Sequence, residues 1–313
     1  MAQADALTHL RHGQAPFFRL PVVTGAPPPD TRAVLLGVPT DLGATHHPGA
    51  RLAPWAVRQA SAFLQPWHPV HQVDVFAAVP AVDGGNVAFP PFSAEIMREA
   101  VRAQVQVVAA TGAAPFVVGG DHAVTLPILR ALHAVHGPLA VLHVDAHLDT
   151  SGPETWGEPF HHGTPFRHAL EEGLVARGAL FQVGIRGSWG SADEDAPTRR
   201  HGGTVITAEQ LAERGAAAVG AGVRRALEGR PVYVSFDVDA LDPAFAPGTG
   251  TPVPGGLTSR EAFALLRALA GAPILGMDVV EVCPMLDRND QTSTLAAHLL
   301  WEGLALLAVT AGR

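Results

Sequence analysis

The sequence predicts an α/β fold, a three-layer α/β/α sandwich on a mostly parallel sheet of about eight strands. Three observations predict it. Short runs of Val, Leu and Ile alternate with segments of helical periodicity along the whole chain. No linker or internal repeat interrupts that alternation. Several of the apolar runs end in acids and histidines, as strands do at the carboxyl edge of a parallel sheet, where ligands bind.

Composition bounds the function. With 313 residues, 47% of them apolar, the chain can bury a large core, in one large α/β domain or two smaller ones. The absence of a linker favours one: an N-terminal arm over 1–32 and a single domain over 33–313. A formal charge of −8 with basic residues that are all Arg and scattered along the chain argues against a nucleic-acid surface. A single cysteine, Cys283, excludes an internal disulfide and a thiolate zinc cluster. The first twenty residues lack an apolar export core, and no apolar run reaches the roughly 20 residues that span a bilayer. A cytoplasmic protein without membrane contact is expected.

The elements follow in order. The arm, with Pro27, Pro28 and Pro29, reads as a surface extension. Residues 33–38 form the first strand, and the loop 39–51, dense in Gly, Pro and His, is either the wall of a site mouth or a solvated connector. Pro54 opens a helix through Val57, Ser61 and Leu64, and a strand near 73–75 ends in Asp83-Gly84-Gly85. Ser93 caps a long helix through Ile96, Val101, Val105 and Val108 that stops at Gly112. Strand 114–118 breaks on Gly119-Gly120-Asp121-His122, and Pro127, which fits only near a helix start, places His122 at or just before the first turn. That helix continues to about His136.

Strand 138–144 ends in Asp145-Ala146-His147-Leu148-Asp149, and a loop with Trp156, His161 and His162 leads to a helix from Pro165 through Phe166, Leu170 and Leu174. Strand 180–185 runs into the Gly/Ser loop 187–192. Strand 204–206 precedes a capping box, Thr207 to Gln210. Strand 232–236 delivers Asp237-Val238-Asp239, and the Pro- and Gly-rich loop 243–256 forms a rigid wall beside them. A second capping box, Thr258 to Glu261, starts a helix through Phe263, Leu265 and Leu266. Strand 274–282 carries Asp278 and Glu281, and an apolar helix from Thr292 runs through Leu295, Leu299 and Leu306.

Acids gathered at buried strand ends cost several kcal/mol each unless a positive charge meets them. The chain has no Lys and few Arg stand close in sequence, so a metal is the expected neutraliser. Carboxylate and imidazole donors without thiolate favour Mn over a structural zinc. The alternative is that these residues are merely caps and turns.

Gly119-Gly120-Asp121-His122, Asp145-Ala146-His147-Leu148-Asp149, residues 235–243 and Met277-Asp278-Val279-Val280-Glu281-Val282, with Pro247-Gly248-Thr249-Gly250-Thr251-Pro252, resemble the ureohydrolase family, the arginase and agmatinase group. The resemblance spans roughly residues 33 to 310. It implies the arginase-like α/β fold, two Mn2+ per subunit with Ni2+ as the alternative, and a homotrimer or homohexamer. It implies His122, Asp145, Asp149 and Asp237 as ligands of one metal and Asp145, His147, Asp237 and Asp239 as those of the other. Paired cations lower the pKa of a shared water towards neutrality. Glu281 would grip the guanidinium, Asp149 would pass a proton to the leaving amine, and His162 would shuttle protons with solvent. Rival readings make Glu281 a structural ion-pair partner and give the shuttle to neighbouring His161. His143 reads as a core or supporting group, Asp278 as a hydrogen-bond acceptor, and Cys283 as an apolar filler.

The implied function is hydrolysis of a linear guanidino compound to urea and an amine. Arginases carry an Asn and a Ser-Gly-Asn stretch after their Asp-x-His-x-Asp motif; here Thr150-Ser151-Gly152-Pro153 stands instead, which disfavours arginine. Agmatine, cleaved to putrescine, is the expected substrate, its cationic tail suited to an acidic mouth from Glu154 or Glu158. Of the alternatives, a guanidinobutyrase or guanidinopropionase needs a cation from Arg167 or Arg51, and a guanidine hydrolase would use Trp156 as a lid. Two readings of other classes are a single-zinc deacetylase of the same superfold, which needs a Tyr near the site where this chain has only Tyr233, and a non-catalytic ligand sensor.

Overall fold

The computed structural model describes residues 16–311. Its strands are β1 (Ala33–Gly37), β2 (Trp67–His68), β3 (Val73–Asp74), β4 (Ala81–Asn86), β5 (Ala114–Val118), β6 (Leu139–Val144), β7 (Val175–Ile185), β8 (Thr204–Thr207), β9 (Val232–Asp237) and β10 (Ile274–Val280). β2 and β3 make a small antiparallel pair. The others form one eight-stranded sheet in the order β4-β1-β5-β10-β9-β6-β7-β8. Every neighbouring pair in it is parallel.

Helices cover both faces, which is why the strands read as almost continuous apolar runs. Val34, Leu36, Val117 and Val141 pack with Met97, Val101, Val105, Leu129 and Leu132 of the helices Ala94–Ala110 and Thr125–His136. Leu35, Phe116, Leu142, Val234 and Phe236 face the other way, onto Leu265, Leu266, Leu299 and Leu304 of the helices Ser259–Arg267 and Gln291–Ala311. Neighbouring residues of one strand thus feed opposite cores. The expected α/β/α sandwich is present.

The strand order positions the site. The chain builds β1, β4 and β5 at one end of the sheet, crosses to β6, β7 and β8 at the other, and returns to insert β9 and β10 between β5 and β6. The carboxyl ends of β5, β10, β9 and β6 therefore lie side by side. Such a reversal of strand order opens the crevice in which α/β proteins bind ligands.

Some local expectations need correction. The sheet strand is Ala81–Asn86; residues 73–74 pair only with β2, because the Asp74 carboxylate accepts the Ala77 N–H at 2.9 Å and turns residues 75–78 into helix. The described part of the arm divides: Val22, residues 24–26, Pro29 and Asp30 are exposed as expected, whereas residues 17–20 belong to the core. Phe17 and Phe18 are fully buried, and their N–H groups donate to Asp83 Oδ2 and Ser61 Oγ, both at 2.8 Å. Residues 1–15 lie outside the described residues.

Strand β7 begins at Val175, ahead of the expected start, across an irregularity between the Leu139–Val175 and Val141–Leu180 pairs. The helix Gln291–Thr310 is long and apolar enough to cross a membrane by length and composition, contrary to the expectation that no such run exists. It is mostly buried here, as an all-round apolar helix in a core must be. Gly303 lets it close on the sheet: a Cβ there would lie 2.7 Å from Met277 Sδ and 2.9 Å from a Phe116 ring carbon.

Candidate metal centre

Each donor stands where a strand stops. At the end of β5, Gly120 lets the loop 39–43 cross the chain, since a Cβ at Gly120 would lie 1.5 Å from the Thr40 carbonyl oxygen. Asp121 ties the crossing by accepting N–H bonds from Gly43 at 2.8 Å and Ala123 at 3.0 Å. Burial and the neighbouring Glu281 charge push its carboxyl up to about 6. His122 then opens the helical turn His122–Val124. Gly120→Ala should displace this crossing, costing about 3 kcal/mol as a severe overpacking does. The expected result is a lower melting temperature and lost activity together; an unchanged melt would mean that the loop yields.

The six implied ligands come together in two groups around one carboxylate. His122 Nδ1 lies 2.9 Å from Asp149 Oδ2, 3.1 Å from Asp145 Oδ2 and 3.3 Å from Asp237 Oδ2. His147 Nδ1 lies 3.0 Å from Asp239 Oδ2 and 3.4 Å from Asp145 Oδ1. Asp145 therefore offers one oxygen to each imidazole, as a shared ligand must. Asp237 and Asp239 are linked through Asp237 Oδ1, which accepts the Asp239 N–H at 2.8 Å. His147 is 39% exposed while His122 is buried, so the second group faces the entrance.

These residues fit a pair of divalent cations. His122 Nδ1 is buried and lacks a properly directed hydrogen bond, although three carboxylate oxygens surround it. One ring proton cannot serve three acceptors. Spacings of about 3 Å are those of adjacent ligands around a small cation with bonds near 2.1 Å. The charge balance agrees. Burial, then Asp239 and Asp145, push the Asp237 carboxyl well above the usual range, and Asp239 is raised by burial and Asp145. Burial alone would depress the His122 imidazolium, but Asp145, Asp149 and Asp237 together hold it well above its ordinary value. The site demands positive charge.

A relay behind His122 aims it. Its Nε2 lies 2.9 Å from Ser235 Oγ, whose own proton goes to Asp278 Oδ1 at 2.7 Å. Thr125 and Tyr233 hydroxyls donate to Asp278 Oδ2, both at 2.8 Å. Ser235 must then accept the Nε2 proton, which leaves the Nδ1 lone pair turned to the carboxylates. Asp278 is the acceptor expected. Tyr233 is fully buried on Asp278 and does not line the cavity, unlike the Tyr a deacetylase would need.

Glu281 leaves its strand in a left-handed conformation, φ 63°, and Asp149, in the loop after β6, adopts one at φ 51°. Non-glycine residues held there cost of order 1 kcal/mol and cluster at working sites. The turn brings Glu281 Oε1 to the His122 N–H at 2.9 Å and to His162 Nδ1 at 2.8 Å. His162 Nε2 is 2.8 Å from Thr45 Oγ1. Burial would lower the His162 imidazolium, but the Glu281 charge and hydrogen bond raise it to about 9. Neighbouring His161 instead takes the Gly163 N–H on Nδ1 at 3.1 Å and has no contact with Glu281 among its hydrogen bonds. The loop 39–51 thus lines the site through Thr45.

A cavity of about 230 Å3 opens over the centre, bounded by His147, Asp149, His162, Trp156, Trp189 and Glu194 among others. Sequence reading missed Trp189 and Glu194. Neither Glu154 nor Glu158 lines it, and Arg51 and Arg167 do not either, being paired with Asp41 and Glu171. Arg186 does line it, but its guanidinium is spent on carbonyls, including Ala240 at 3.0 Å and Asp239 at 2.7 Å. A separate group, His68, His71 and Glu302, lies elsewhere, and Glu302 is there paired with Arg267 at 2.9 Å.

Residues 31–305 match the Arginase family. The chain is 44% identical to the guanidinopropionase of Pseudomonas aeruginosa over 95% of this chain and 92% of that protein. It is 40% identical to the proclavaminate amidinohydrolase of Streptomyces clavuligerus, over 96% and 95%, and 40% identical to the agmatinase of Proteus mirabilis, over 93% and 92%. The solved structure of the Streptomyces protein superposes with a TM-score of 0.88, covering 95% of this chain and 97% of that one. The formiminoglutamase of Trypanosoma cruzi, solved with Mn2+, gives 0.83 at 27% identity, covering 94% and 99%.

Proposed function

The chain belongs to the arginase family and hydrolyses guanidino groups, and we propose that its substrate is agmatine, cleaved to urea and putrescine. The observation that carries this reading is the cavity mouth, where Glu194 and the rings of Trp156 and Trp189 stand and the one lining arginine is already satisfied. A carboxylate and indole faces attract a cationic tail. The Glu194 charge repels an anionic one.

Two Mn2+ per subunit, with Ni2+ as the alternative, are part of the proposal, supported by the oxygen and nitrogen donors of the six ligands. Bound there, paired cations supply Lewis acidity and bring a water's pKa towards neutrality. The chain's own residues do the rest. Glu281, buried and bonded to the lining His162 without lining the cavity itself, is assigned to hold the guanidinium and balance its charge. The water oxygen attacks the guanidinium carbon, and Asp149 takes the water's proton. It returns that proton to the leaving amine nitrogen as the C–N bond breaks, and the second proton of the water leaves the oxygen for solvent, so that neutral urea forms. His162, hydrogen-bonded to Glu281 at 2.8 Å and lining the cavity, exchanges protons with solvent.

A urea-release screen of agmatine, 4-guanidinobutyrate, 3-guanidinopropionate, arginine and guanidine, each with manganese and with nickel, tests the assignment. Agmatine should give the highest kcat/KM. A higher value for 3-guanidinopropionate would favour the second reading, a guanidino acid, for which the 44% identical guanidinopropionase speaks. Glu194→Gln should raise KM for agmatine about tenfold, roughly the 1.4 kcal/mol of one charge-assisted contact, and leave kcat nearly unchanged. An unaltered KM would remove Glu194 from tail recognition.

A cytoplasmic homotrimer or homohexamer completes the proposal. Phe63 and Trp67, exposed by 67% and 53% and lining one hollow with Ala60 and Trp301, support self-association, because a joined exposed apolar patch marks an interaction surface.

A further inference from the structure

We propose that His143 is a positioning residue that locks the shared carboxylate of Asp145, and that it does so through a hydrogen-bonded relay reaching across the sheet to Gln182 and Thr198. His143 stands among residues near enough to hold a cation. Its hydrogen bonds leave neither nitrogen for one.

The relay is read from its far end. The Thr198 hydroxyl donates to Gln182 Oε1 at 2.5 Å, and Gln182 Nε2 donates to the Leu148 carbonyl at 2.6 Å. A carbonyl can only accept, so the amide cannot be flipped. Gln182 Nε2 therefore presents its remaining proton to His143 Nδ1, 3.0 Å away. Nδ1 must accept, and the ring's proton sits on Nε2. That proton points at Asp145 Oδ2, 2.6 Å distant.

Position and packing make the arrangement rigid. His143 and Gln182 are register partners on β6 and β7, and both are fully buried, as is Thr198. The Phe166 ring stacks on the imidazole at 3.9 Å between centroids and 29° between planes. The other oxygen of Asp145 accepts the His147 N–H at 2.6 Å. With one donor on each oxygen, the plane of the carboxylate is fixed, and so are the directions in which it meets His122 and His147. Among the described residues, Asp145 is the one carboxylate paired with both imidazoles. Its rotation would degrade both cation sites at once.

The test reads metal binding, not turnover. Metal-stripped protein is titrated with Mn2+, following free ion by electron paramagnetic resonance, and its melting temperature is recorded without metal. His143→Phe keeps a ring for Phe166 but has no donor, and should bind both cations 10- to 100-fold more weakly, the usual effect of losing a partner behind a ligand. His143→Gln carries an amide N–H to about the place of Nε2–H and should stay within about threefold of the wild type. Gln182→Met, which removes the donor to Nδ1 and also frees the Leu148 carbonyl beside Asp149, should show a smaller loss and covers the case in which His143→Phe does not fold. Unchanged affinity in the Phe and Met variants, or equal losses in Phe and Gln, would overturn the proposal. A wild type that binds no Mn2+ would instead sink the metal-centre reading itself.

Discussion

Asp237→Asn is expected to abolish urea release and leave the fold intact. Asp237 ends β9 with one oxygen 3.3 Å from His122 Nδ1 and the other accepting the Asp239 N–H at 2.8 Å. Asparagine has the same shape and can still accept that N–H. It lacks the anionic oxygen a hard divalent cation needs from a ligand shared by two sites. Turnover should fall about a thousandfold or more, a loss of about 4 kcal/mol of transition-state stabilisation, and bound metal should drop below two per chain. The metal-free protein should melt no lower than the wild type, because Asp145 and Asp239 already crowd this carboxyl and push it well above its ordinary range along with burial. Metal analysis, a melt and a urea assay on one preparation read all three. Near-normal turnover would take Asp237 out of the shared position.

Glu281→Gln should be nearly as damaging, for a different reason. The amide can still accept the His122 N–H and the His162 Nδ1–H that now reach Glu281 at 2.9 and 2.8 Å. It cannot balance a guanidinium. Losing a buried charge-assisted contact made to the reacting group should lower kcat/KM by about a thousandfold, or about 4 kcal/mol. Metal content should remain unchanged, which separates this variant from Asp237→Asn. The His162 imidazolium, held up to about 9 chiefly by the Glu281 charge against the opposing effect of burial, should lose its proton at lower pH. Its ring carbon shift in an NMR titration checks this. A His162 that still titrates near its original value would mean that other carboxylates hold it.

Much of the centre was legible because it obeys local rules. Asp145, His147 and Asp149 keep the two-residue spacing of a strand into the turn beyond it, and Asp237 and Asp239 repeat it. His122 was marked by glycines that no regular element explains. The apolar alternation gave the layers, since each strand is covered on both faces. Strand order was not legible: nothing local says that β9 and β10 slot between β5 and β6. That long-range fact gathers the ligands.

The misses have the same cause. Glu194 and Trp189 sit in or beside a Gly- and Ser-rich loop without periodicity, and only the assembled mouth shows that they face the cavity. Strand parity put His143 beside Asp145, but its donor role depends on Gln182, its register partner on β7. Phe17 and Phe18 looked like part of a polar arm because their partners, Ser61 and Asp83, are remote in sequence. His161 and His162 are adjacent in the chain, and only the approach of Glu281 and Thr45 separates their roles.

The most direct test is a crystal of Mn2+-loaded protein measured on both sides of the manganese absorption edge. Two anomalous peaks per chain should appear, one among His122, Asp145, Asp149 and Asp237, the other among Asp145, His147, Asp237 and Asp239. A single peak, none, or density at His68, His71 and Glu302 instead would contradict the two-cation centre.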